Sequence, residues 1–167
     1  MRKVAVARCA FVVLTVSTLA ASGAEKTVTN KVRGVEISVP EAWWATDTPA
    51  LKQNAIQCTS PGDELEVIVT VQDTESGVTS KQFGDNMMVI FMTQSGKILA
   101  EGTDSKLGRN DAYKIIRKDE RTKAIEHYLV AGKKGYVLFI SGSMESVDLH
   151  AKDIDAIVKS FKLIEAK

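Results

Sequence analysis

The sequence predicts an α+β domain: a mainly antiparallel β-sheet of about six strands flanked by helices. Three observations carry this. First, Thr122–Ile164 reads as two paired strands, Thr122–Ala131 and Tyr136–Gly142, feeding an amphipathic helix, Val147–Phe161. Second, Tyr136-Val137-Leu138-Phe139-Ile140 is apolar on both parities, where a strand with one wet face alternates; it is therefore a central strand covered on both sides. Third, the element order is strands, one helix, at least four strands, one helix, which places helices against consecutive hairpins.

The chain's 167 residues suffice for one domain with a proper core. At the N-terminus, Arg2, Lys3 and Arg8 precede an apolar run, Cys9–Ala21, and the small residues Ser22-Gly23-Ala24. That tripartite pattern predicts a signal peptide over residues 1–24, too short in its apolar part for a spanning anchor. Residues 25–31 are then expected to be a flexible lead and residues 32–167 a single domain, periplasmic or secreted. Contact with a membrane is expected only through the leader before cleavage.

Removing the leader takes three of 22 basic residues and none of 21 acidic ones, leaving 19 against 21 and a net charge of −2. This balance gives no electrostatic case for nucleic acid. Cys9 leaves with the leader and is not placed at the cleavage point, which argues against a lipoprotein. Cys58 remains alone and is expected to be buried and inert.

In order, Val32–Val39 alternates Val35, Ile37 and Val39 with polar residues and reads as a half-buried strand closed by Pro40. Glu41-Ala42-Trp43-Trp44 forms a turn. Thr46–Gln53 suggests one short helical turn, and Ala55–Thr59 a strand ended by Ser60-Pro61-Gly62. Glu64–Gln72 alternates again. Ser80 caps a helix from Lys81 to about Thr93 with Phe83, Met87, Ile90 and Phe91 on one face, and Ser95-Gly96 ends it. Lys97–Lys106 and Asp111–Lys118 are strands around Gly108-Arg109-Asn110. Gly132-Lys133-Lys134-Gly135 turns the last hairpin with two glycines able to take positive φ. The closing helix aligns Val147, Ile154, Ile157, Val158 and Phe161.

Several of these residues resemble those of a known family. A first strand ending in Pro40-Glu41-Ala42-Trp43, a mid-chain helix, a Gly108…Ala112-Tyr113 strand entry, an apolar hairpin strand and a closing Ser160-Phe161 are similar, in that order, to PsbP-like and bacterial DcrB-like domains. The resemblance covers about Val32 to Ile164. It implies a six-stranded antiparallel sheet between helices and a role that is usually non-catalytic. Relatives include an extrinsic subunit of the photosynthetic water-oxidising complex, a nuclear-import factor that binds a small GTPase, and bacterial envelope proteins. The family has no shared active site to transfer.

Chemistry-bearing motifs are sparse. The sequence has no G-x-S-x-G, no phosphate-cradling glycine loop and no C-x-x-C. Its two histidines, His127 and His150, could hold a metal only if the fold brought them together with a carboxylate, and no spacing demands it. The expectation is a solvated strand histidine and a partly buried helical one. No catalytic residue, cofactor or metal is assigned. Met87-Met88-x-x-x-Met92 is read as core packing. Of the tryptophans, Trp43 should plug the core, leaving Trp44 exposed as a candidate anchor for a partner, against ordinary packing under the Thr46–Gln53 loop. The sequence therefore points to a non-enzymatic binding or assembly module of a bacterial envelope with a protein partner. The alternative is a small-ligand or metal carrier with a pocket between sheet and helix.

Overall fold

The computed structural model describes residues 24–48, 53–94 and 99–166, and for residues 91–94 the backbone only. Residues 1–23 of the expected leader and residues 49–52 of the expected Thr46–Gln53 turn lie outside the described residues. So do residues 95–98 and the side chains of Phe91 and Met92.

Seven strands form one sheet in the order β3(Trp44–Thr46), β4(Asn54–Thr59), β5(Leu65–Asp73), β9(Lys134–Ser143), β8(Thr122–Ala131), β7(Asn110–Lys118), β6(Leu99–Leu107). Every pairing in it is antiparallel. The strand with the unbroken apolar run, β9, occupies the middle. A smaller sheet joins β1(Glu25–Asn30), β2(Val35–Pro40) and β10(Lys162–Leu163). The expected α+β architecture with a mainly antiparallel sheet flanked by helices is present, its main sheet seven-stranded with a three-stranded sheet beside it.

Residues 25–31 are corrected by this arrangement. Glu25–Asn30 is not a loose lead but a strand in register with Val35–Pro40. Its side chains hid it: only Val28 is apolar and buried, and pairing through the backbone supplies the rest.

The main core lies between the two sheets. Val35, Ile37 and Val39 face Val67, Val69, Leu138 and Ile140, closed by Val147, Ile154, Ile157 and Phe161. The closing helix is two helices, α2(Met144–Leu149) and α3(Ala151–Ser160), which meet at His150 with φ −92° and ψ 18°. The apolar stripe continues across the break, so periodicity alone does not reveal it. Ser143 caps α2 by accepting from the Ser146 N–H at 3.0 Å.

On the other face α1(Ser80–Gln94) packs Phe83 on Tyr113, Ile115 and Tyr128, with Met87 and Met88 alongside. Ile90, expected on that face, is exposed. Two of the turns expected from sequence carry a glycine at positive φ. Gly132 turns the last hairpin at φ +63°, whereas Gly135 is a ladder residue of β9 opposite Gln72. At Gly108, φ is +58°, its N–H donates to the Val158 carbonyl at 2.9 Å, and a Cβ would lie 2.0 Å from the Phe161 carbonyl oxygen.

Candidate binding face

Directly paired residues of an antiparallel ladder share a face, and that face repeats every second residue. Three successive rows therefore define the side of the large sheet that carries α1. One row runs Trp44, Thr59, Glu66, Ser141, Ala124, Arg117; the next Thr46, Gln57, Ile68, Phe139, Glu126, Ile115. A third runs Asn54, Thr70, Val137, Tyr128, Tyr113. Helix α1 covers the β7–β8 end of these rows. Toward β4 and β5, the apolar residues Ile68, Val137 and Phe139 are only half-buried.

A groove of about 320 Å³ opens there, lined by these three residues, Met87 of α1 and a set of polar groups. The polar wall on the α1 side is an ion pair. Arg117 donates from Nε to Glu126 Oε1 at 2.7 Å and also from Nη2 to the same oxygen. The Tyr128 hydroxyl donates to Glu126 Oε2. Glu126 and Tyr128 are each 1% exposed. Burial first, then the neighbouring Glu126 carboxylate, pushes the Tyr128 phenol far up, so it stays a donor. The opposite wall holds Asn54, Thr70 and Gln72. The Asn54 Nδ2 is buried without a hydrogen-bond partner among the described residues.

Sequence reasoning missed this constellation. Its signal was present, since Glu126 and Tyr128 share a parity in a strand otherwise rich in apolar residues. Arg117, however, reaches Glu126 only through the β7–β8 register.

Trp44, the residue singled out from sequence, stands on the same face at the opposite edge of the sheet and is 57% exposed. Trp43 is buried at 3%, its carbonyl accepting from Lys26 Nζ and its ring edge-on to His150 at 6.1 Å between centroids. The division between core plug and exposed neighbour is as expected.

Neither histidine side chain lines this groove, and the two share no hydrogen-bond partner among the described residues. His127 is not solvated, as the sequence suggested, but 6% exposed on the opposite side of the sheet, its Nδ1 3.3 Å from Ser105 Oγ. Burial, aided by Lys114, lowers its pKa to about 4. His150 is half-buried, with Nδ1 3.1 Å from Asp153 and Nε2 3.3 Å from Glu64. The Asp153 hydrogen bond, helped by Glu64, raises its pKa. No cluster of three potential ligands suited to a metal occurs among the described residues. Cys58 is fully buried, and burial pushes its thiol up to about 12.

No protein-family model matches the sequence, and no curated protein does. Solved structures do match. Cyanobacterial PsbP (CyanoP) from Synechocystis superposes with a TM-score of 0.62 at 15% identity, over 89% of this chain and 98% of that one. LpqN, described as involved in cell envelope biogenesis of Mycobacterium tuberculosis, gives 0.62 at 12% identity, over 84% and 91%. The fold is PsbP-like. A Bacteroides thetaiotaomicron protein gives 0.56 at 8% identity, over 83% of this chain and 48% of that one. At these identities the likeness concerns architecture, and the open face of this PsbP-like domain has to be read from its own residues. No described helix is long and apolar enough to cross a membrane.

Proposed function

We propose that the protein is an exported, non-catalytic binding or assembly module of a bacterial cell envelope, which docks a protein partner on the open half of its large sheet with Trp44 at the rim. The observation that carries this is the register: an exposed tryptophan shares one face with the half-buried apolar residues Ile68, Val137 and Phe139. Large amphipathic rings at the edge of such a surface are common anchors in protein interfaces. The leader-like N-terminus supports export. The fold shared with LpqN, an envelope-biogenesis protein by its description, supports the compartment.

A binding role fits the ionisable groups better than a catalytic one. A general acid or base keeps a lone pair or proton for substrate, whereas Glu126 already commits both oxygens to Arg117 and Tyr128. The test is a photo-crosslinking pull-down from the organism's own envelope fraction, comparing wild type with Trp44→Ala. A single stoichiometric protein partner, lost in Trp44→Ala while the melting temperature is unchanged, supports the reading. A partner captured equally by both proteins removes Trp44 and this face from it.

A further inference from the structure

We propose that the groove between β5, β9 and α1 binds an uncharged amphiphile whose head carries a hydrogen-bond acceptor such as an ester, carbonyl or polyol oxygen. Its volume of about 320 Å³ falls at the small end of ligand sites, roughly 300–1,000 Å³. Its chemistry is graded along the sheet. The middle is apolar, formed by Ile68, Val137 and Phe139, with Met87 a flexible wall that can adjust to an alkyl or isoprenoid segment. The polar groups are parted to the two sides, the ion pair on β7 and β8, and Asn54, Thr70 and Gln72 on β4 and β5.

Charge selects the ligand class. Among the described residues the only formal charges in the groove wall, Arg117 and Glu126, neutralise each other at hydrogen-bond distance. Asn54, Thr70, Gln72 and Tyr128 are neutral. A ligand that brought a net charge would lose its hydration against a wall whose own charges are already satisfied, and that loss is unfavourable.

The β4 side also carries a donor in want of an acceptor. Asn54 pairs with Thr70 but Ile56 pairs with Val69, so Ala55 is an extra residue and the ladder bulges. The bulge holds Asn54 on the groove face beside Thr70 while Ile56 returns to the core. The Asn54 Nδ2 so placed has no partner among the described residues. Native proteins satisfy nearly all such atoms, and a ligand oxygen entering beside Thr70 would complete this one.

This inference shares Ile68, Val137 and Phe139 with the protein-partner reading but adds Asn54 and Thr70 and does not use Trp44, so the Trp44 and Thr70 variants tell the two apart. The test is calorimetric titration with three ten-carbon amphiphiles below their aggregation concentrations: 1-decanoylglycerol, decanoate and decyltrimethylammonium. The expected result is saturable 1:1 binding of the glyceride, at least tenfold tighter than either ion. Thr70→Val should weaken it about tenfold, Ile68→Trp should fill the groove and abolish it, and Trp44→Ala should leave it unchanged. Circular-dichroism melts establish that each variant is folded, and Thr70→Val, which nearly conserves shape on a half-buried strand position, keeps the test valid if Ile68→Trp is not. No saturable glyceride binding, or equal affinity for the three head groups, overturns the proposal. Unchanged affinity in folded Thr70→Val overturns it as well.

Discussion

Arg117 and Glu126 meet diagonally across the β7–β8 ladder, with the carboxylate buried and the guanidinium at the wall of an open groove. Side-chain exposures of 17% for Arg117 and 1% for Glu126 mean that water screens this pair poorly. A buried pair costs much to desolvate, and its removal as a unit is often nearly neutral; removal of one member is not. Arg117→Met should therefore destabilise the protein by about 3 kcal/mol, by leaving Glu126 buried and uncompensated. Adding Glu126→Gln, whose amide oxygen still accepts from Tyr128, should recover most of that loss. Urea denaturation of the two single variants and the double variant measures the coupling; additive losses would contradict it.

The two histidines should give the stability a maximum near pH 6.5. His127 has its folded pKa lowered from 6.5 to about 4 by burial, with Lys114 adding to it and Ser105 at its Nδ1. Between those values the unfolded chain binds the extra proton, so stability falls as the pH drops from 6.5 toward 4, by about 3 kcal/mol in all. His150 is shifted the other way by Asp153 and Glu64. Its contribution is complete below 6.5 and is lost as the pH rises through its folded value. Glu36, Asp73, Asp85, Asp119 and Asp148 are all held low by hydrogen bonds, and their losses begin only in the carboxylate range below. In chemical denaturation across pH 4.5–8.5, His127→Gln should flatten the acid side of the maximum and His150→Gln the alkaline side. A wild-type profile without a maximum would refute the assignment.

The tryptophans make a paired control. Trp43→Ala should cost about 3–5 kcal/mol, since it empties a buried ring site against His150. Trp44→Ala should stay within about 0.5 kcal/mol, as is usual for an exposed position without core contacts. Thermal melts of the two variants side by side check this, and a large loss in Trp44→Ala would show that its ring serves packing instead of partner contact.

The parts of the fold that were legible are those where burial leaves a pattern. An unbroken apolar run placed β9 at the centre, and alternation placed β2 and β5. Elements held by backbone pairing at an edge were harder: β1 has one buried apolar residue, and β3 spans only Trp44–Thr46. His150 breaks the closing helix without a proline or glycine to announce it. The candidate face was half legible. Trp44 stands out in a sequence, because two adjacent tryptophans cannot both fill one core site. The groove does not, because Arg117, Glu126, Ile68 and Asn54 belong to four strands and converge only once the register is fixed.

Cys58 offers a direct clock for unfolding. It is 0% exposed in β4, opposite Ala45 and Val67, and burial holds its thiol at about 12. A thiolate is the reactive form, so at pH 8 the native state presents almost none of it and no path for a reagent. Modification by a disulfide reagent such as Ellman's reagent should then proceed only through opening of the β3–β4–β5 end of the sheet. Its rate should be independent of reagent concentration when reagent is in excess, and should rise in Trp43→Ala far more than in Trp44→Ala, because only the first removes core packing next to β3. A rate that grows in proportion to reagent with no plateau, and at the same pace in all three proteins, would mean that Cys58 is reached from the folded state and that this end of the sheet is open on its own.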